Sequence, residues 1–386
     1  MDNFTFQAQT KLIFGKGTEL QVGAEAARYG KKVLLHYGGG SIKKTGLYDR
    51  LIDSLKKAGL TVFELPGVQP NPRLSLVRKG IELCRNEGVD FVLAVGGGSV
   101  IDSAKAIAFG TVADIDVWKF YLEGIPVTKS LPVGTVLTIP AAGSEGSPDS
   151  VLSDEEHKRK LAAHGDIVRP VFSILNPELT MTLPMFQTAA GMSDMFAHIM
   201  ERYFTSTENV DFIDHMAEGA MRGILNNSYK VLKDPNNYDY RAEIMLAGFL
   251  AHNGILGIGR EGDWMSHDIE HELSAMWDVT HGEGLAIIFP AWMKYVYKND
   301  IPRFARFSKE VFGITDQDEE QRIHKMIEKL KEWYRTLGLK TALSEYEFFD
   351  EDKIPVMARR CVPDGARGAK TKLSSADIEA IYRLAI

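Results

Sequence analysis

Short apolar runs alternate with helical patterns in the first half of the chain. The runs are bounded by Gly, Pro or polar residues and cover Val33–His36, Leu60–Leu65, Asp90–Val95, Thr135–Pro140 and Val171–Leu175. Helix-like stretches lie between them, at Tyr48–Ala58, Leu74–Arg85 and Ser99–Ala108. Alternation of strands and helices predicts βαβ units and a parallel sheet covered by helices. Phe91–Val95 is apolar throughout, as expected for a strand that is buried on both faces.

The pattern changes after about residue 180, where strand patterns become scarce. Apolar residues recur there at intervals of three and four, which predicts amphipathic or buried helices. The helical ranges are Met185–Phe204, Val210–Leu232, Tyr240–Leu256, Met265–Met276, Arg303–Val311, Glu319–Thr336 and Ser374–Leu384. Two prolines bracket the turn-like stretch Asn176–Pro184, which marks a domain boundary. The sequence therefore predicts a Rossmann-like α/β domain at residues 1–180 and an all-helical domain at residues 181–386.

Composition narrows the possible functions of these two domains. The 386 residues include 45 Lys and Arg against 52 Asp and Glu, a net charge of −7 that argues against a nucleic-acid or anionic-membrane partner. No apolar run is long enough to predict a membrane-spanning helix, and the N-terminus lacks the layout of a signal peptide. Cys84 and Cys361 are far apart and favour a reducing compartment. We therefore expect a cytoplasmic enzyme.

Two glycine-rich junctions follow predicted strands. The first contains Gly38, Gly39 and Ser41, and the second contains Gly97, Gly98 and Ser99, with Asp102 in the next helical turn. Glycines after a buried strand let backbone N–H groups approach a ligand, and a following helix N-terminus favours an anion. Neither junction is a complete G-x-G-x-x-G motif, and each alone is compatible with a tight packing turn. The pair predicts a pyrophosphate site.

The first junction also bears on the choice of cofactor. NAD-binding sites often place a carboxylate on the ribose 2′-OH. The stretch Gly38–Ser41 has no carboxylate, and Lys43 and Lys44 follow it. This composition favours NADP(H) over NAD(H), although both lysines are also compatible with simple solvation.

Three short clusters of histidine and carboxylate residues occur in the second half. Asp194 and His198 are four residues apart, as are His267 and His271, and His281 lies in a predicted glycine-bracketed turn. Residues four apart share one face of a helix. Imidazole and carboxylate ligands suit a divalent Fe or Zn ion. Each cluster alone is compatible with a structural role, but together they predict a metal site. The spacing does not say which four of the five residues bind.

Four motifs identify a resemblance that covers essentially the whole chain. They are Gly96–Asp102, Gly191–His198, Ser266–Ala275 and Asp278–Ala286. With these motifs the sequence resembles the iron-containing (group III) alcohol dehydrogenases, most closely their NADPH-dependent butanol dehydrogenase branch.

The resemblance implies roles for individual residues. It implies Asp194, His198, His267 and His281 as ligands of Fe(II) or Zn(II), with His271 near the nicotinamide. It implies a pyrophosphate loop at Gly97, Gly98 and Ser99, with Asp102 beside it. Thr138 and Ser147 would line the cofactor, and Lys160 would lie near its ribose. Gly39 replaces an aspartate of NAD-preferring relatives. The resemblance also implies a homodimer.

We therefore expect an NADPH-dependent alcohol dehydrogenase or aldehyde reductase for short- to medium-chain aliphatic substrates. The metal would polarise the substrate oxygen while hydride passes between nicotinamide C4 and the substrate carbon, with His267 and His271 as catalytic residues. One alternative is a polyol or polyol-phosphate dehydrogenase, for which Arg260 is the only nearby candidate phosphate ligand. The other is a nucleotide-binding regulatory protein with a structural metal. Trp264 and Trp277 are candidates for pocket walls or for core packing.

Overall fold

The computed structural model describes the whole chain, Met1–Ile386. The strands are β1 (Lys11–Phe14), β2 (Lys32–Tyr37), β3 (Thr61–Leu65), β4 (Phe91–Gly97), β5 (Val133–Ile139), β6 (Asp149–Asp154), β7 (Arg159–His164) and β8 (Phe172–Leu175). The α-helices are α1 (Val22–Ala26), α2 (Ser41–Lys44), α3 (Leu47–Lys57), α4 (Leu74–Glu87), α5 (Gly98–Val112), α6 (Trp118–Leu122), α7 (Met185–Tyr203), α8 (Asp211–Lys233), α9 (Tyr238–His252), α10 (Met265–Trp277), α11 (His281–Val296), α12 (Ile301–Phe312), α13 (Glu319–Thr336), α14 (Ile354–Cys361) and α15 (Ser375–Leu384). Short 3₁₀ helices cover Thr18–Gln21, Asp166–Val168, Pro177–Thr180, Ile255–Gly257, Tyr297–Asn299, Leu343–Glu345 and Glu351–Lys353.

Six strands form one parallel sheet in the order β1-β8-β5-β4-β2-β3. Every residue of β4 is buried, which explains its uninterrupted apolar run. The predicted α/β fold followed by a helical region is confirmed. The apolar pattern did not reveal β1, in which only Ile13 is buried. It also did not reveal the antiparallel pair β6–β7, whose sequences are mostly polar.

The order of the strands reverses between β2 and β4. The chain continues from β2 to β3 on one side of the sheet and from β4 to β5 on the other. Ligands of open α/β sheets bind outside the carboxyl ends of the strands at such a switch point. The turn at 38–40 follows β2, and Gly98 follows β4. Both predicted glycine-rich junctions therefore lie where this fold binds its ligands.

The chain forms two compact units, and neither is contiguous in sequence. The α/β unit contains 7–183 together with 236–253, and the helical unit contains 1–6, 184–235 and 254–386. Helix α9 belongs to the α/β unit because Met245 and Phe249 are part of its hydrophobic core. The first six residues belong to the helical unit, where the N–H of Asp2 donates to the carbonyl of Gly259 at 2.9 Å. The predicted division into an α/β domain at residues 1–180 and a helical domain at residues 181–386 remains a prediction.

Helices α7, α10 and α11 form the centre of the helical unit. A Cβ at Gly282 would lie 2.0 Å from the carbonyl oxygen of Ala190, so α11 approaches α7 more closely than any other residue would allow. The prediction that His281 lies in a turn is wrong, because His281 is the first residue of α11. Glycines at 282 and 284 and Pro290 within this helix conceal its helical pattern. None of the helices combines the length and apolar character needed to cross a membrane.

Candidate active site

The structure brings the predicted metal ligands together on three helices. Ligand atoms of Asp194, His267 and His281 all lie within 4.8 Å of one another. The ring of His198 lies 4.6 Å from that of His267, and its Nδ1 lies 3.1 Å from Oδ1 of Asp194. Asp194 and His198 are on α7, His267 is on α10 and His281 begins α11. Only tertiary packing can bring these four side chains together.

A second group contacts Nδ1 of each of three histidines. Nδ1 of His198 lies 2.9 Å from the carbonyl oxygen of Asp194, and Nδ1 of His267 lies 2.7 Å from Oε1 of Glu201. Nδ1 of His281 contacts Oε2 of Glu270. A neutral imidazole that donates from Nδ1 presents an unprotonated Nε2. This is the arrangement in which metal-binding histidines are held.

Two atoms that face this cluster have no hydrogen-bond partner. They are Nε2 of His267 and Oδ1 of Asp194, and both are buried. Nδ1 of His198 lies 3.1 Å from Oδ1 of Asp194 and 2.9 Å from the main-chain carbonyl oxygen of Asp194. We assign its hydrogen bond to the carbonyl because that oxygen is nearer. Nε2 of His281 lies 3.7 Å from the same Oδ1. Buried polar atoms without partners are rare in proteins and are expected at ligand sites.

The charges of the cluster favour a bound cation. Burial raises the pKa of Asp194, but the surrounding His198, His281 and His267 outweigh burial and lower it below the usual range. Burial, reinforced by His198 and His281, lowers the pKa of His267 well below its usual value. Asp194 is therefore ionised and His267 neutral near pH 7, which are the protonation states required of metal ligands.

The fifth candidate, His271, belongs to a different group of neighbours around His281. A ring nitrogen of His271, a ring nitrogen of His281 and a carboxylate oxygen of Glu270 lie within 4.8 Å of one another. The rings of His271 and His281 are 5.4 Å apart. His271 is thus close to the Asp194 group without belonging to it, which is compatible with the role that the resemblance implies.

Glu201 is a buried carboxylate that the sequence analysis did not single out. It accepts hydrogen bonds from the backbone N–H groups of Trp264 and His267 at 2.7 and 3.0 Å, so it caps the start of α10 and also orients the His267 ring. Burial raises its pKa, and those two N–H groups oppose the rise. A usable signal exists: Glu201 lies seven residues after Asp194 and three after His198, on the same helical face.

The predicted cofactor residues of the first junction surround an open turn. A Cβ at Gly39 would meet no atom within 4 Å, and Ser41 is exposed. Lys43 is not simply solvated: its ammonium lies 3.9 Å from Glu64 and 4.5 Å from the centre of the Tyr48 ring. Lys44 is exposed.

The second junction is closely packed. A Cβ at Gly97 would lie 2.9 Å from Ile139, and one at Gly98 would lie 3.2 Å from Ala142. Glycine at both positions therefore lets the end of β4 and the start of α5 pack against the end of β5 and the turn after it. Thr138, near the end of β5, is half-buried. Ser99 follows as the second residue of α5 and is also half-buried.

Asp102 is bonded within the protein. Its carboxylate accepts hydrogen bonds from the hydroxyl of Ser144 at 2.5 Å and from the N–H of Val151 at 3.0 Å. Burial raises its pKa, with nearby Lys105 and Ser144 opposing the rise. Asp102 therefore ties α5 to the segment that leads into β6, and its side chain supports the loop containing Ser147.

Lys105 is a fully buried residue that the sequence analysis missed. Its Nζ donates to the hydroxyl of Ser144 at 3.0 Å, to the carbonyl of Ser147 at 3.0 Å and to the carbonyl of Asp149 at 2.7 Å. Burial lowers its pKa to about 8, against the charges of Asp102 and Asp149. Its position in the mostly apolar predicted helix Ser99–Ala108 could have indicated a buried lysine.

Lys160 is buried on β7, close to the turn that precedes α4. Its strand partner is Ser153, whose N–H donates to the carbonyl of Pro72 at 2.8 Å. The preceding Asn71 is buried and has φ +52°. The turn before α4 is thus adjacent to Lys160, although sequence analysis did not propose it. Non-glycine residues in this conformation are enriched at ligand sites.

Two remaining predictions concern the surroundings of the metal ligands. The Arg260 guanidinium is buried and lies 2.8 Å from Asp214, so it is engaged within the protein rather than available to a substrate phosphate. The Trp264 ring lies 5.5 Å from that of His267, whereas Trp277 packs against Phe349 at 5.5 Å. Trp264 therefore lies beside the predicted metal ligands, whereas the contact of Trp277 is with the loop after α13.

A parallel sheet with glycine-rich turns at its switch point defines a nucleotide-binding fold. The chain matches the family described as iron-containing alcohol dehydrogenase over residues 9–177, and the C-terminal region of the Fe-containing alcohol dehydrogenase family over residues 188–386. It therefore belongs to the iron-containing alcohol dehydrogenase family, and it is an NAD(P)-dependent alcohol dehydrogenase. The family implies a nicotinamide cofactor and iron or a similar divalent metal. The regulatory-protein alternative is set aside.

Individual relatives match along almost the whole chain. A probable NADH-dependent butanol dehydrogenase of Bacillus subtilis is 43% identical, with 100% of both chains covered. The NADPH-dependent aldehyde reductase YqhD of Escherichia coli is 37% identical, covering 95% of this chain and 94% of the relative. A crystal structure of NADH-dependent butanol dehydrogenase A from Thermotoga maritima has a TM-score of 0.95 at 39% identity, covering 100% of this chain and 99% of the other.

Proposed function

We propose that this alcohol dehydrogenase uses NADPH and a divalent metal to interconvert short- to medium-chain aliphatic aldehydes and alcohols such as butanal and butanol. The observation that supports the proposal most strongly is the convergence of Asp194, His267 and His281, with two of their buried ligand atoms lacking hydrogen-bond partners. Butanol dehydrogenases and an aldehyde reductase among the relatives support the substrate class.

The metal ligands in this proposal are Asp194, His198, His267 and His281. Three imidazoles and one carboxylate suit Fe(II) or Zn(II), and the unpartnered atoms fit the requirement for free lone pairs. A divalent ion held there supplies Lewis-acid polarisation of the substrate oxygen. The protein keeps His267 and His198 in the required orientation through Glu201 and the carbonyl of Asp194.

In the proposal, His271 or a water molecule donates the proton that completes the reaction. The half-buried ring of His271 lies beside His281. In the direction of aldehyde reduction, the product oxygen receives a proton from a ring nitrogen of His271 or from water. Replacement of His271 is expected to lower turnover while the metal remains bound.

The proposed cofactor contacts lie along the carboxyl ends of the parallel strands. In the proposal Gly97, Gly98 and Ser99 bind the pyrophosphate, and Asp102 and Lys105 support that loop. Gly38, Gly39 and Ser41 surround the ribose 2′ position together with Lys160, while Thr138 and Ser147 line the cofactor.

NADPH is proposed because the open turn at Gly39 has no carboxylate. Several relatives at 39–43% identity have names that specify NADH. A comparison of kcat/KM for NADPH and NADH therefore decides between the two.

The proposal also includes a homodimer in the cytoplasm. The molar mass of the purified protein, measured by light scattering after size-exclusion chromatography, tests the dimer.

The decisive experiment measures NADPH oxidation with butanal before and after chelation, and again after addition of Fe(II) or Zn(II). Loss of activity on chelation and its recovery with metal would support the proposal and identify the better metal. Full turnover by protein that metal analysis shows to be metal-free would contradict it.

A further inference from the structure

Glu270 is a carboxylate at the centre of the helical unit whose role is not explained by the proposed ligand set. Its side chain is 0% exposed. Oε2 contacts Nδ1 of His281, and Oε1 accepts a hydrogen bond from the hydroxyl of Ser274 at 2.5 Å. Glu270 thus contacts Nδ1 of His281, whereas Nε2 of the same ring lies 3.7 Å from Oδ1 of Asp194.

A carboxylate is unfavourable in the protein interior unless hydrogen bonds compensate its lost hydration. Ser274 supplies one hydrogen bond, but Ser274 also lies 3.1 Å from the carbonyl of Val279 and so has another acceptor. A neutral imidazole has a single N–H group. If Glu270 accepts that hydrogen from Nδ1, the lone pair of Nε2 faces Asp194, 3.7 Å away.

We propose that Glu270 is a positioning residue that selects the tautomer and the ring orientation of His281 and thereby sets the metal affinity of the site. The inference rests on the proposed metal centre. Carboxylates that accept from the outer nitrogen of a ligand histidine fix its tautomer and raise its basicity, and their loss typically lowers metal affinity about 10- to 100-fold.

Gly284 provides an independent indication that the position of this carboxylate matters. A Cβ at Gly284 would lie 2.6 Å from Oε1 and 2.7 Å from Cγ of Glu270. Both atoms belong to the contacting side chain, so even an alanine would displace the carboxylate. Gly284 lies three residues after His281 on the same helix, and it leaves the space that Glu270 occupies.

The test measures the dissociation constant of Zn(II) for metal-free protein by competition with a chelator. Glu270→Leu removes the acceptor and keeps a buried side chain, and Glu270→Gln retains an acceptor oxygen in nearly the same volume. Gly284→Ala displaces the carboxylate without altering either partner. The matched control is Glu272→Gln, a buried glutamate on the same helix that pairs with Arg360 at 3.0 Å.

We expect Glu270→Leu and Gly284→Ala to bind Zn(II) about 10- to 100-fold more weakly, and Glu270→Gln to recover most of the affinity. The control should match the unaltered protein. The melting temperature of each metal-free variant is measured alongside, so that a folding defect is recognised. Gly284→Ala then tests the inference if Glu270→Leu does not fold.

Equal Zn(II) affinity of the unaltered protein and folded Glu270→Leu would overturn the role of Glu270 and leave the metal centre standing. Equally weak binding by Glu270→Gln and Glu270→Leu would also overturn it, because the retained acceptor would then have no effect. Failure of the unaltered protein to bind any metal would overturn the proposed function and this inference together.

Discussion

In the helical unit the candidate ligand atoms belong to side chains, whereas in the α/β unit the glycine-rich turns offer backbone N–H groups. His267 and His281 each contact a second residue, Glu201 or Glu270, through Nδ1. At Gly39 an added Cβ would meet no atom within 4 Å, so the feature that matters there is the absence of a carboxylate. The first kind of site is sensitive to the loss of single polar contacts, and the second to added charge.

The largest effect that this comparison predicts is for His267→Ala. Removal of one ligand should release the metal and lower kcat/KM about a thousandfold, or about 4 kcal/mol, because the polarising charge is lost. Metal content and butanal reduction are measured on the same samples. His324→Ala is the control, since that exposed ring contacts Tyr297 instead. A metal-free variant with full turnover would contradict the ligand assignment.

Gly282→Ala tests whether a glycine in the helical unit serves packing. The added Cβ would lie 2.0 Å from the carbonyl of Ala190, so α11 must move and His281 with it. We expect a loss of about 1–3 kcal/mol in the free energy of unfolding, measured by urea denaturation. Gly223→Ala on α8 is the matched control, because its Cβ meets no atom within 4 Å. If both variants lose equal stability, the packing argument is wrong.

Gly39→Asp tests a glycine of the α/β unit that has open space around it, unlike Gly282. The side chain has space, so folding should be unaffected, but a carboxylate should repel a ribose 2′-phosphate. We expect kcat/KM for NADPH to fall about 10- to 100-fold relative to NADH. Gly39→Ala adds volume without charge and should change this ratio little. An unchanged ratio in the aspartate variant would place the 2′ position elsewhere.

The smallest predicted effect concerns His36, on the strand that precedes the first glycine turn. Burial lowers its pKa from 6.5 to about 4, although a hydrogen bond with the carbonyl of Leu65 opposes the shift. Below pH 6.5 the unfolded chain binds a proton that the folded chain does not, so stability decreases as the pH falls.

Between pH 7.5 and 5.5 His36 should contribute a loss of about 1 kcal/mol in the free energy of unfolding. Denaturation of the unaltered protein and His36→Gln at both pH values measures it. His324→Gln serves as the exposed control. An identical pH dependence in the unaltered protein and His36→Gln would show that His36 does not titrate as expected.

The sequence predicted the parallel sheet because buried strands such as β4 have a local signature. It predicted the histidine and aspartate candidates because residues four apart on a helix face the same way. It missed Glu270 because its contact with His281 depends on how α10 meets α11, which no local spacing specifies. Helix α9 was predicted as a helix, but its membership of the α/β unit depends on tertiary burial of Met245 and Phe249.

The discontinuity of the two units has a consequence for synthesis on the ribosome. The α/β unit lacks α9 until residue 253 has been translated, some seventy residues after its first segment ends at Leu183. At typical elongation rates this takes about 4–14 s, during which apolar surface that Met245 and Phe249 later cover is exposed. The segment Met1–Phe6 remains without its packing partners for longer still, because those partners lie in the helical unit. The α/β unit of the nascent chain is therefore incomplete, and open to chaperone binding, while residues 184–253 emerge.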